Sequence, residues 1–285
     1  MITEHPKKGI FFICAAVFLF ASSDAISKYL TNFYPVVMVL WVRYVVHVVL
    51  ILAALRPHAL KTLITTQYPK LQIIRGLCMA NTNLMFISAL HYIPLAEGTA
   101  IIYLSPLLVT AMSGPMLGER ITRMQWLAVA IGFIGVLLIV RPGGSMFHPV
   151  ALLALGAAFS FSLYQVITRK LNHTDKSSIT NFISGLVCVI VTSLLLPFFW
   201  KTPTLHFALL MVLLGISALA SHLLMTKAYQ HAKPSTLAPF SYTQMLFAGL
   251  IGYVFFNQQP DLLGLVGMLV IVAGGLLIFS KLSYK

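Results

Sequence analysis

Charge is what this chain has least of. Only 9% of its 285 residues are charged, and 6 of those are acidic against 19 Lys and Arg. Soluble domains are about a quarter charged, so an ordinary water-soluble fold is excluded. Cysteine is also scarce: Cys14, Cys78 and Cys188 each lie in an apolar stretch, and none has a C-x-x-C partner. That spacing supports neither a thiolate metal site nor a disulfide framework, and the three read as small buried hydrophobes. There is no phosphate-cradling Gly-rich loop with Lys-Ser/Thr, no H-E-x-x-H, no G-x-S-x-G and no carboxylate pair within one apolar stretch. These absences argue against ATP drive and against an enzyme, and imply no cofactor and no metal.

What is present is hydrophobicity, at 59% of residues with a mean hydropathy of +0.92. A membrane helix needs about 20 mostly apolar residues. Ten stretches qualify, at 9–30, 35–55, 72–92, 95–117, 123–141, 149–171, 179–198, 205–230, 235–256 and 262–281, joined by short connections rich in Pro, Gly, Asn and Lys. Lys7 and Lys8 followed by an apolar run to Ala21-Ser22-Ser23 imitate a signal peptide. The run continues through Asp24 to Leu30 and matches a segment of the second half, so an uncleaved first span is expected.

The formal charge of +13 would suggest nucleic acid in a soluble protein. Here the basic residues sit between apolar stretches without a basic, aromatic-interleaved run, so membrane topology explains them better. Placing the N-terminus in the cytoplasm leaves only Lys28, Arg141 and Lys201 at outer ends and Arg43 inside a span. The other Lys and Arg, Arg75 among them, fall on the cytoplasmic side. Ten spans then put both termini in the cytoplasm.

The chain also repeats itself. Phe18, Phe20, Ile26, Ser27, Lys28 and Leu30 recur as Phe159, Phe161, Ile167, Thr168, Arg169 and Leu171, 141 positions on. His91-Tyr92-Ile93-Pro94 precedes span four much as His231-Ala232-Lys233-Pro234 precedes span nine. Spans five and ten end on Gly135-Val136-Leu137-Leu138-Ile139 and Gly274-Gly275-Leu276-Leu277-Ile278, small residues suited to close helix packing. Five spans per copy is an odd number, so the copies are inverted. The expectation is an all-α integral membrane protein of ten transmembrane helices in two inverted five-helix repeats, 1–142 and 149–285.

Several segments together resemble the EamA-type transporters of the drug/metabolite transporter superfamily: Ser23 to Lys28, Arg43, Pro94-Leu95-Ala96-Glu97, Ser105-Pro106-Leu107, Leu117-Gly118-Glu119-Arg120, Gly132 to Leu137, and Arg141-Pro142-Gly143. The resemblance spans essentially the whole chain and implies a substrate cavity between the two repeats. One departure is Asn257-Gln258-Gln259-Pro260, where the repeat would place a Gly-Glu pair.

An ionisable group inside a span costs about 2.5–3.5 kcal/mol on insertion scales, so each needs a reason. Asp24 lies about 9 Å from the outer end of span one and Arg43 about 12 Å from that of span two, counting 1.5 Å per residue. At matching depth the two can pair across neighbouring helices. Lys28 can pair with Asp24 one turn away, and His47 sits one turn below Arg43. The cluster either locks spans one and two together or lines the cavity and binds a charged substrate or a proton. Glu97 either complements the N-terminus of span four or pairs with Lys28 as an outer gate. Tyr103, Ser105 and Pro106 fall in mid-span four, at the depth of Tyr242, Thr243 and Gln244 in span nine, where aromatic packing and a small-molecule pocket are both open readings. Asn81, Asn83, Tyr164, Gln165, Ser221 and His222 complete the polar set, with Gln165 the repeat counterpart of Asp24. His222 alone is more often a core histidine, and Glu119-Arg120 reads as a structural loop clamp.

The function expected is a secondary transporter moving a small polar organic metabolite, an amino-acid-like compound or derivative including a metallophore for export, across the bacterial inner membrane by alternating access. The alternative is an uptake permease for a vitamin or nucleoside-like compound such as riboflavin or S-adenosylmethionine. A membrane receptor or intramembrane enzyme is a remote third. Expected partners are the substrate and the lipid bilayer, not nucleic acid, and a homodimer is left open.

Overall fold

A computed structural model describes residues 6–54, 65–118, 120–141, 149–171, 174–175, 177–232, 237 and 240–282. Its elements are α1 (Pro6–Leu30), α2 (Val36–Ala54), α3 (Pro69–Tyr92), α4 (Leu95–Ile102), α5 (Ser105–Leu117), α6 (Arg123–Val140), α7 (Ala151–Leu171), α8 (Ser177–Phe199), α9 (Leu205–His231), α10 (Thr243–Phe256) and α11 (Leu262–Leu282). Among the described residues the fold is all-helical. Eight stretches are long and apolar enough to cross a membrane, and α10 and the Leu262–Leu277 part of α11 supply two shorter apolar helices. Large hydrophobic side chains such as Leu194, Phe198, Leu250 and Phe255 point outward, as helices solvated by lipid require. The protein is a multi-pass, ten-span membrane protein built of two repeats.

Helix ends follow local chemistry. Thr122 and Gln125 form a reciprocal cap at the start of α6: Thr122 Oγ1 accepts from Gln125 N at 3.3 Å, and Thr122 N donates to Gln125 Oε1 at 2.8 Å. Gly118 (φ 71°) ends α5 and Asn257 (φ 52°) ends α10. Both stand in the left-handed region, which Gly and Asn tolerate best. The repeat therefore preserves a backbone feature across Gly and Asn.

Span four is broken, where a single helix over 95–117 was expected. Pro106 has no N–H to give the Ile102 carbonyl, and the Ser105 hydroxyl donates to that carbonyl instead. Tyr103 and Leu104 form the joint between α4 and α5. The same device recurs in span nine, where Thr243 Oγ1 donates to Phe240 O at 2.6 Å beside Tyr242.

The principal helix contacts mostly join one half of the chain to the other: α1 with α9, α3 with α7, α2 with α8, α6 with α11 and α4 with α10. Exchanging the halves maps the set onto itself. The α1–α9 contact becomes α7–α3, α2–α9 becomes α8–α3, and α1–α10 becomes α7–α4/α5. This is the contact map of a pseudo-two-fold pair. The expected close packing of spans five and ten is present: Gly135 and Gly267 meet so tightly that a Cβ built on either lies 2.7 Å from the other's carbonyl oxygen.

Candidate functional site

A cavity of about 200 Å³ lies among α2, α3, α7, α8 and α9. It occupies the ends of these helices nearest Ala54, Pro69, Leu171, Ser177 and His231, one face of the bundle. Exposed Asn181, Leu223 and Thr226 mark its open side. The opposite face is closed. There Lys28 Nζ donates to the carbonyls of Leu90 and, at 2.7 Å, Ile93, covering the C-terminal end of α3. Phe33, Tyr34 and Phe207 stack together beside it, and Lys201 Nζ donates to Phe33 O at 2.9 Å.

Arg43, Tyr164 and His222 line the cavity, as the cavity reading of the sequence requires. Tyr44, His47, Asn181 and Ser184 join them. The imidazoles of His47 and His222 meet edge to face at 6.2 Å, and His222 also packs against Phe20 at 5.0 Å.

Behind Tyr164 stands Arg75, only 1% exposed. Its five N–H groups reach five acceptors: Thr168 Oγ1 at 2.6 Å, Thr180 O at 2.5 Å, Ser184 Oγ at 2.6 Å, Tyr164 Oη at 2.7 Å and Asn181 Oδ1 at 3.3 Å. The guanidinium also lies 4.3 Å from the Tyr164 ring centre. Every acceptor is neutral, so a buried charge is held by hydrogen bonds alone. Assigning Arg75 to the cytoplasmic loops missed this role. The signal was available, since Arg75 falls inside the 72–92 span, where an ionisable group needs a reason.

The expected charge cluster does not form. Asp24 makes no ion pair with Arg43 or with Lys28. α1 packs chiefly on α9 and α10 rather than on α2, so Asp24 turns to Gln244, whose Nε2 lies 3.4 Å from Asp24 Oδ2. Lys28 is spent on the α3 carbonyls. Glu97 does not gate with Lys28 either. It occupies the first turn of α4, as complementing that N-terminus requires, and its Oε1 faces Gly264 of α11.

A second polar group gathers at the two helix breaks. Tyr103 Oη donates to Ser241 O at 2.6 Å, with Gln244 Oε1 at 3.1 Å, and the Tyr103 and Tyr242 rings lie 5.1 Å apart. Asp24, Tyr103, Tyr242 and Gln244 thus belong together, and none of them lines the cavity. The remaining candidates are scattered. Asn81 Nδ2 donates to Ser160 Oγ at 2.8 Å and ties α3 to α7, Asn83 bonds back to Met79 O, and Ser221 bonds back to Ser217 O. Ser105 serves the break, and half-buried Gln165 does not line the cavity. Glu119 lies outside the described residues. Gln258, which replaces the expected Glu of the second copy, accepts from Leu95 N at 3.1 Å and so caps α4 from the opposite repeat.

At the aqueous edge Arg141 pairs with Asp261 at 2.5 Å, and Asp261 also accepts from Gly264 N at 2.8 Å as the cap of α11. The Arg141 guanidinium and that backbone N–H hold the Asp261 carboxyl below the usual range, and the same pairing raises Arg141.

The sequence matches the model of the EamA-like transporter family twice, over residues 7–141 and 148–280. The chain belongs to the EamA-like transporter family. Among relatives, it is 26% identical to an S-adenosylmethionine uptake transporter of Rickettsia bellii, covering 90% of this chain and 88% of that one. It is 28% identical to a riboflavin transporter of Vibrio cholerae, over 91% and 88%, and 25% identical to a pseudopaline exporter of Pseudomonas aeruginosa, over 95% and 96%. A solved crystal structure shares the fold, with a TM-score of 0.64 at 21% identity over 97% of this chain and 99% of that one.

Proposed function

We propose that this EamA-family protein is a secondary transporter of a small polar organic metabolite in the bacterial inner membrane, without catalytic activity. The observation that carries the reading is the cavity: α2 and α3 come from one half of the chain, α7, α8 and α9 from the other, and it is open at one face and closed at the other. Rocking the halves, 1–142 against 149–285, about this point would alternate access. The Lys and Arg bias supports a cytoplasmic location for the open face and both termini, which would make this conformation inward-facing.

Arg43, Tyr164 and His222 contact the substrate. Asp24 is the candidate proton site, because it is 8% exposed with no cation at ion-pair distance. The volume suits an amino-acid-sized compound, since pockets for drug-sized ligands run from about 300 Å³ upward. The alternative, uptake of an S-adenosylmethionine-like or riboflavin-like compound, is favoured by the relatives of that name and requires the cavity to widen on binding.

Purified protein in proteoliposomes preloaded with unlabelled compound should exchange external radiolabel in counterflow. The panel is methionine, other amino acids, S-adenosylmethionine and riboflavin. Failure to exceed protein-free liposomes with every compound would reject the reading.

A further inference from the structure

We infer that the cavity is a carboxylate site, with Arg43 and Tyr44 as its anchoring donors; this rests on the transporter reading and narrows its substrate class. Arg43 is 7% exposed and Tyr44 is 5% exposed, both on the cavity wall. Arg43 Nη1 is buried without a hydrogen-bond partner, and Tyr44 Oη has only the weakly bonding Cys188 thiol beside it. Native proteins leave few such groups, because each orphaned donor costs free energy that a partner would recover. Here Arg43 and Tyr44 are adjacent residues of one helix, and both line the cavity.

Among the described residues nothing supplies the missing acceptor, and the cavity lining contains no Asp or Glu. Asp24, the acid nearest in sequence, is turned toward Gln244. The lining acceptors Tyr164, Asn181 and Ser184 are engaged by Arg75. The two arginines therefore divide the work: Arg75 is saturated and builds the wall, while Arg43 keeps a donor for something that enters.

What enters must bring oxygen acceptors and negative charge, and a carboxylate offers both to a guanidinium edge and a phenol. Met79, Leu219 and Leu223 line the same cavity and suit an apolar remainder. The ligand is a small carboxylate with an apolar or aromatic body, held head-first against α2.

Binding of matched pairs by calorimetry on detergent-purified protein tests this: methionine against methioninamide, and S-adenosylmethionine against its decarboxylated form. Riboflavin and inorganic phosphate are the carboxylate-free probes. At least one acid should bind with its carboxylate-free partner at least about tenfold weaker, the scale of one charge-assisted hydrogen bond. Arg43→Gln should weaken that acid by a similar factor or more, Arg43→Lys should restore part of it, and Tyr44→Phe should cost less than Arg43→Gln. Elution as a monodisperse peak and an unchanged melting curve qualify each variant as folded. If both Arg43 variants fail that check, the acid-against-amide comparison on wild-type protein decides alone.

Equal binding of the acid and its carboxylate-free partner overturns the inference, as do unaltered affinity in a folded Arg43→Gln, silence of every acid, or phosphate binding tighter than the acids. Counterflow separates the two levels: riboflavin exchange unaffected by Arg43→Gln removes the carboxylate site and leaves the transporter, whereas no exchange of any compound removes the transporter reading.

Discussion

The contact between Gly135 on α6 and Gly267 on α11 makes a quantitative prediction. A Cβ on Gly135 would lie 2.7 Å from Gly267 O, 2.8 Å from Ile271 Cγ1 and 3.0 Å from Ile271 N. Two of these three atoms are backbone and cannot swing aside. Ordinary contact begins at 3.4 Å, so Gly135→Ala must drive the helices apart by about 0.7 Å, and dispersion contacts along the crossing are lost. Overpacking of this kind costs about 1–3 kcal/mol. The gain in helix propensity from Gly to Ala returns at most about 1 kcal/mol. Gly135→Ala should therefore be destabilised, and Gly249→Ala is the control. A Cβ at Gly249 meets nothing closer than Ala96 Cβ at 3.9 Å, so that variant keeps the propensity gain at no steric cost. Thermal melts in one detergent should place Gly135→Ala at least about 2 °C below Gly249→Ala, with Gly249→Ala at or above wild type. The double variant Gly135→Ala/Gly267→Ala should cost less than the sum of the single ones, because the first substitution already opens the crossing. Coincident melting of Gly135→Ala and Gly249→Ala would refute the argument.

Three further outcomes are expected. Arg75→Lys offers three donors to five acceptors and should destabilise by about 1–3 kcal/mol; a melting temperature equal to wild type would show that the five bonds do not hold α3 to α7 and α8. Asp261 has a depressed carboxyl, so its contribution is complete above its ordinary value of 3.8 and lost as pH falls through the lower folded value. The melting difference between wild type and Asp261→Asn should be flat from pH 7 to 5 and close at lower pH, and a difference that instead widens there contradicts the pairing. Asp24→Asn keeps a neutral partner for Gln244, so counterflow should continue while accumulation driven by a pH gradient is lost. Retained gradient-driven uptake would remove Asp24 as the proton site.

The spans, the duplication and the small-residue crossing were legible because each is written along the chain, in hydropathy, spacing and glycine. The break in span four was half legible. Pro106 announced a freed carbonyl, but the hydroxyl that takes it up, Ser105, was read as part of a pocket.

The charge cluster failed for a geometric reason. Depth can be counted from residue number, and that count puts Asp24 and Arg43 at similar levels. The direction in which a side chain points depends on which helix is the neighbour, and in an interleaved duplicate that neighbour is seldom the next helix in sequence. α1 faces α9 and α10, and α2 faces α8 and α9, so Asp24 hydrogen-bonds Gln244 of α10 while Arg43 lines the cavity. The repeat itself holds part of the missing information. Arg43 and Ser184, 141 positions apart, line the same cavity. Ser23 and Tyr164 stand at the same offset, and each bonds one member of a further pair, Ser217 and Arg75, 142 apart: Ser23 Oγ to Ser217 Oγ at 3.0 Å, Arg75 Nη2 to Tyr164 Oη at 2.7 Å. Ser23, Arg43, Tyr164 and Ser184 each meet the opposite half, so Arg43 shares the cavity with the second repeat's Ser184 and makes no ion pair with Asp24. Polar correspondence alone does not select them, because Lys28 and Arg169 also correspond and Lys28 hydrogen-bonds only Leu90 and Ile93 of its own half.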